Sequence, residues 1–324
     1  MPEPMSQSAA PLSPLDVRYE QVDAAALLQA EDVLALIGFG SRFVAPDDPR
    51  VVRVALEPLS APVVEVWRSR SRVRSGREGA LRWNSDGEYL FLAIEIDEVG
   101  DDVGSAAERA YAQLIAFAEA SDTPHFLRLW NYLDAINLGD GDEERYRRFC
   151  EGRARGMVDF HDASYPAATA IGSVDGARRL LVYGIAARSN GTPVENPRQV
   201  SAWRYPRQYG RTAPTFARAM RTDAQLLISG TAAVVGHASA HEDDLAAQLR
   251  ETFANLDSLV GATQGTFGER ALLKAYVRDA AQADAVAQAI ATHAPGAAGL
   301  LLLAGDICRR ELLVEIDGVQ ALAR

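Results

Sequence analysis

The chain of 324 residues carries a formal net charge of −11 and is 48% hydrophobic and 24% charged, enough apolar material for a large core and more than one usual domain length. The acidic balance argues against a nucleic-acid partner, which needs a dense basic surface. Apolar runs such as 300–304 have the length of a strand and fall far short of a membrane span.

Residues 1–14 hold four prolines, three serines and no basic residue. They lack the charged and apolar regions of a secretory signal, so 1–17 reads as a flexible lead-in. Gly38, Phe39 and Gly40 lack the third glycine of a dinucleotide loop and read as a turn. Arg68, Arg70, Arg72, Arg74 and Arg77 alternate as on a strand, and such a charge run is expected on a solvated face. A strand over 89–96 leads to a helix over 105–120, with Ala107, Ala110, Leu114 and Phe117 along one side. A strand over 126–132, a short charged helix over 143–152 and a strand over 180–187 follow.

Residues 189–214, rich in Pro, Gly, Arg and Tyr, link this series to a second one. There, a strand over 225–229 and a small-residue loop over 230–236 precede a helix over 243–260. Leu245, Leu249, Phe253, Leu256 and Val260 give that helix one apolar stripe. A strand over 272–277, a helix over 280–291 and strands over 300–303 and 312–316 complete the chain. The repeated order predicts an α+β protein of two units, each a mixed β-sheet with helices packed on one face. The division is placed between 175 and 176, giving units 18–175 and 176–324.

Cys150 and Cys308 make neither a disulfide framework nor a metal-ligand pair, which points to a reducing cytoplasm. His237 and His241 stand four apart near the start of a helix, but with no further ligand cluster they read as capping or surface residues. No cofactor or metal is expected. In 312–316, Leu312, Val314 and Ile316 alternate with Leu313 and Glu315, so Glu315 points to the opposite face. Either that face meets solvent, or it lines a pocket where burial raises the carboxyl pKa.

The segments QLLISGTAAVVG (225–236), ETFANLDSLV (251–260), ALLKAYVRD (271–279) and ELLVEIDG (311–318) together resemble the RidA (YjgF-type) fold. More specifically, WNYLDAIN (130–137), ERYRRFCEGRARG (144–156), YPRQYGRTAPTFARA (205–219), ISGTAAVVGHAS (228–239) and GDICRRELLVEIDG (305–318) resemble the motifs of the chorismatases. That family carries two RidA-like units in one chain. The resemblance implies chorismate as the small-molecule substrate, with Glu315 as the general acid on its enolpyruvyl ether. Protonating the terminal methylene carbon leaves an oxocarbenium, and the weakened ether releases pyruvate.

Chorismate bears two carboxylates, which arginine forks and hydroxyls recognise. The chain offers Arg153, Tyr205, Arg207 and Tyr209 for them, with Arg204, Arg211 and Arg218 nearby and unranked. Gly230, Thr231 and Ala232 form a loop whose free backbone N–H groups admit a carboxylate closely. Cys308, seven residues before Glu315, resembles the groups that form 3-hydroxybenzoate, one of which also yields 4-hydroxybenzoate. An odd offset sets the two side chains on opposite faces of a straight strand. They share a pocket only if a turn or bulge at Arg309, Arg310 and Glu311 intervenes. The rival readings are a chorismate hydrolase giving a dihydroxycyclohexadiene acid, a RidA-like imine deaminase, and a non-catalytic metabolite-binding protein.

Overall fold

Val33–Phe39 is a run of seven buried residues, the pattern of a strand covered on both faces. In the computed structural model, which describes residues 12–100, 102–161 and 164–322, it anchors a small sheet that the periodicity does not announce. That sheet comprises β1 (Asp16–Glu20), β2 (Val33–Phe39), β3 (Val51–Val54) and β4 (Val64–Arg68), in the order β1-β4-β2-β3, with a one-turn helix α1 (Ala24–Leu27) after β1. Gly38 and Phe39 therefore belong to a strand and not to a turn. A Cβ on Gly38 would fall inside the Phe43 ring, and the backbone turns only at Gly40, with φ at 78°.

The first large sheet is built from β5 (Arg74–Glu78), β6 (Leu81–Ser85), β7 (Tyr89–Asp97), β8 (His125–Asp134), β9 (Ala167–Ser173) and β10 (Arg179–Ala187). Helices α2 (Val103–Glu119) and α3 (Arg145–Gly156) cover one face. Asp102 caps α2 by accepting from the Ser105 N–H at 3.1 Å. Gly152 has no Cβ because the Gly104 backbone of α2 already occupies that space. β10 pairs with both β7 and β8 and so lies in the middle of this sheet. The unit therefore runs past residue 175, to Ala187, because a strand hydrogen-bonded on both edges cannot belong elsewhere.

The second large sheet has the order β11-β12-β13-β19-β16-β17, from β11 (Thr192–Val194), β12 (Ala219–Arg221), β13 (Gln225–Thr231), β16 (Ala271–Val277), β17 (Gly299–Ala304) and β19 (Val314–Ala321). A hairpin of β14 (Val234–Val235) and β15 (Ala238–Ser239) precedes α4 (Leu245–Gly261), and α5 (Ala283–His293) follows β16. These two helices cover one face, α4 through the stripe of Leu249, Phe253, Leu256 and Val260 and α5 through Val286 and Ile290. Each large unit is thus the expected α+β arrangement of a mixed sheet with helices on one face.

The inner faces of all three sheets meet in one core, where Leu34 and Ile37, Phe91 and Trp130, and Leu227 and Tyr276 pack together. The units also exchange chain: β18 (Asp306–Ile307), which follows β17, leaves the second sheet and pairs with β9 of the first. Residues 1–11 of the expected lead-in lie outside the described residues, whereas 12–17 are tied down. Leu12 N–H donates to Asp223 at 2.8 Å, and Leu15 exchanges hydrogen bonds with the Gln225 side chain. Both leucines are buried. Among the described residues no helix is long and apolar enough to cross a membrane.

Candidate active site

β19 alternates cleanly. Val314 and Ile316 enter the apolar layer beneath α4 and α5, which sends Glu315 and Asp317 to the opposite face, toward the first unit. β18 ends at Ile307, the chain turns over 308–311, and β19 begins at Val314. That break undoes the odd offset, so Cys308 and Glu315 open onto the same cavity of about 450 Å³. Tyr205, Tyr209, Arg218, Ala232 and Arg309 stand around it, and an annex of about 40 Å³ behind Glu315 reaches Arg153 and Cys150 on α3. The cavity sits on the seam between the two units.

Glu315 is 5% exposed and accepts no hydrogen bond from any described residue. Burial pushes its carboxyl up to about 8, and the negative charge of Asp317 pushes the same way. Arg128, Arg218 and Arg309 pull against that rise and are outweighed. Opposite it, the ladder between β13 and β19 shifts register between Ile228 and Thr231, bringing Gly230 against the carboxyl. A Cβ there would lie 2.7 Å from Glu315 Cδ. Only glycine fits.

The guanidinium of Arg218, 5% exposed, donates to Tyr205 Oη at 2.6 Å and to the Val200 carbonyl at 2.9 Å. Its Nε is buried without a partner among the described residues. Arg153, 3% exposed, lies 5.0 Å from the Tyr111 ring centre and points Nε at the Met157 sulfur. Its Nη2 also lacks a partner among the described residues. Neither arginine has a carboxylate within ion-pair distance among the described residues, which is costly for a buried cation unless a ligand completes it. Arg309 is held 4.1 Å over the Tyr209 ring and donates to the His237 carbonyl at 2.9 Å. Cys308 keeps part of its surface open to the cavity, yet desolvation and the nearby Glu315 hold its thiol far above its usual range and so neutral. Cys150 is likewise pushed up by burial, to about 12.

Of the residues expected at the site, Glu315, Cys308, Tyr205, Tyr209, Gly230 and Ala232 line the main cavity, and Arg153 lines the annex. Arg207 does not. Its side chain, 64% exposed, forks onto Asp142 at 2.8 and 2.6 Å on the outer rim. Thr231 is also absent from the lining, because as a β13 residue next to Gly230 it faces the other way and donates to the Ser229 carbonyl. His237 stands 3.3 Å from Tyr209 Oη and His241 3.4 Å from Glu251. No group of three His, Cys, Asp or Glu side chains among the described residues could hold a metal.

Sequence reasoning left Arg218 unranked beside Arg204 and Arg211; Arg211 pairs outward with Asp142 at 3.1 Å. It missed Arg309, Tyr146, Phe216 and Arg147, which also face the cavity. Nothing in their spacing marks them, since three separate segments bring them together. Asp317 was legible, because the alternation that singles out Glu315 places it on the same face two residues on.

A model of the FkbO/Hyg5-like chorismatase N-terminal domain matches residues 65–186. A 3-hydroxybenzoate synthase of Streptomyces hygroscopicus is 34% identical, with 81% of this chain and 82% of the relative covered. A chorismatase of Streptomyces rapamycinicus is 32% identical over 94% of this chain and 97% of its own. A chorismatase crystal structure superposes with a TM-score of 0.85 at 30% identity, covering 96% of this chain and 99% of that one. With relatives 32–34% identical and matched over most of both chains, this chain belongs to the chorismatase family.

Proposed function

We propose that the protein cleaves chorismate to 3-hydroxybenzoate and pyruvate, with Glu315 as the general acid. One observation carries the reading. A carboxyl held up to about 8 opens onto a cavity and its annex, each with a buried guanidinium group that has no carboxylate partner among the described residues. A dianionic enol ether supplies both missing charges, and the neutral acid supplies the proton. The name of the 34% identical relative supports the same product.

In this reading Arg218, oriented by Tyr205, and Arg153 at the end of the annex receive the two carboxylates. Glu315 transfers its proton to the terminal methylene carbon, and the adjacent carbon becomes an oxocarbenium. The neighbouring ring hydroxyl then bonds to the ring carbon that carries the ether as that carbon–oxygen bond breaks and pyruvate leaves. The hydroxyl proton returns to Glu315, and the resulting arene oxide rearranges to the hydroxybenzoate. Chorismate's atoms divide between hydroxybenzoate and pyruvate with no water consumed. The neutral Cys308 thiol acts by filling space and donating weakly beside the ring, since a thiolate is disfavoured there.

Incubating the purified chain with chorismate and resolving the products by chromatography should give equimolar pyruvate and 3-hydroxybenzoate, and measuring 4-hydroxybenzoate alongside decides whether it is a second product. A dihydroxycyclohexadiene acid alone would move the chain to the hydrolytic reading. Unconsumed chorismate would reject the proposal. Cys308→Ala should alter the ratio of products while keeping kcat within about tenfold, as fits a residue that shapes the pocket and does not carry the proton. An unchanged ratio would remove Cys308 from product selection.

A further inference from the structure

Asp317 lies two residues beyond Glu315 on the same face of β19, 1% exposed in its side chain. Its Oδ2 accepts from four groups: Arg128 Nη2 at 3.1 Å, Trp130 Nε1 at 3.1 Å, Thr169 Oγ1 at 2.9 Å and Tyr276 Oη at 3.0 Å. Its Oδ1 is buried with no partner among the described residues. Four donors on one oxygen and none on the other fix the carboxylate's orientation far more tightly than an ion pair alone requires. The donors come from three strands, β8, β9 and β16, so the clamp spans both units.

Thr169 extends the clamp to the cavity wall. The same hydroxyl oxygen that donates to Asp317 accepts from the Gly230 N–H at 2.9 Å. Gly230 is the residue whose missing side chain makes room for the Glu315 carboxyl. Asp317 thus touches Glu315's surroundings twice, along β19 as a neighbouring charge and through Thr169 as the anchor of the opposing backbone.

Resting on the reading of Glu315 as the acid, we infer that Asp317 is a positioning residue for the reaction, its clamped buried carboxylate keeping the neighbouring carboxyl protonated and its link through Thr169 holding Gly230 against it. The other charges acting on Glu315 are Arg128 on β8, Arg218 before β12 and Arg309 in the turn; Asp140, Glu144, Arg147, Arg310, Glu311 and Cys308 line the same cavity, and Arg153 and Cys150 on α3 line the annex. Arg128, Arg218 and Arg309 favour the carboxylate form by their charge, and both thiols are held neutral. Asp317 is the negative charge that most favours the protonated form.

The test is the pH dependence of kcat with chorismate from pH 5 to 9, comparing the native chain with Asp317→Asn. Removing the charge lowers the pH at which Glu315 loses its proton. The alkaline limb should therefore move down by about one unit or more, with about a tenfold loss at pH 8 and little at pH 5.5. An alkaline limb that stays in place overturns the inference. Asp317→Asn leaves Arg128 without its carboxylate, so if that variant does not fold, Thr169→Val decides, since it spares the ion pair. It should lower kcat about tenfold with KM nearly unchanged, and Thr169→Ser should restore it. Native kinetics in Thr169→Val would overturn the anchoring role. Full activity in Glu315→Gln would sink the reading of Glu315 and this inference together, whereas an inactive Glu315→Gln beside an unmoved limb removes Asp317 alone.

Discussion

Glu315→Gln is expected to lower kcat by about 10³-fold or more, because an amide cannot deliver a proton to carbon and general acids contribute on that order. The fold should survive. At neutral pH the native carboxyl is already in its uncharged form, which the amide matches in shape and charge. A stability measurement reads the same assignment independently of substrate. Glu315 is held at about 8 against an ordinary value of 4.5, so it binds its proton more tightly in the folded than in the unfolded chain. Its contribution to stability is complete below the unfolded value and is lost as pH rises through the folded one. A displacement of that size corresponds to about 5 kcal/mol. The glutamine variant has no such titration, so its urea midpoint should gain on the native protein as pH goes from 5 to 8. If both midpoints followed one pH curve, the carboxyl would not be held neutral in the free protein.

Gly230→Ala should come next in severity. The new methyl group would sit 2.7 Å from Glu315 Cδ and 3.2 Å from Thr169 Oγ1, and the carboxyl must swing aside. The atoms it meets first are the far end of a side chain with free rotations, so the cost to folding stays at about 1–3 kcal/mol or less. Catalysis has no such tolerance, since a displacement of about 1 Å at the reacting group costs about 100-fold in rate. Stopped assays with chorismate, alongside a thermal melt, separate the two effects. Native turnover in a folded Gly230→Ala protein would show that the carboxyl's observed position is not the working one.

The helices and the paired strands of both large units follow from local pattern. The stripe from Leu245 to Val260 and the apolar side of α2 need only the helical period, and the alternation in β19 announces that Glu315 leaves the apolar layer. The small sheet built around Val33–Phe39 was not legible in the same way. A strand buried on both faces has no alternation to display, and its apolar run carries no sign of what will cover it. The placement of β10 was missed for a related reason. Its sequence marks a strand, but which neighbours it pairs with is a long-range matter.

By itself, the sequence determined the class of fold, the family through its spaced motifs, and the carboxyl on the face opposite Val314 and Ile316. Only the tertiary structure decided which charges that carboxyl meets. Arg207 and Arg218 stand eleven positions apart in one motif, yet one pairs with Asp142 in solvent and the other is buried in the cavity. Arg153, Gly230 and Asp317 converge from different strands and helices for the same reason. Periodicity records which way a side chain leaves its own backbone, and charge balance in a cavity is set by which other backbones arrive there.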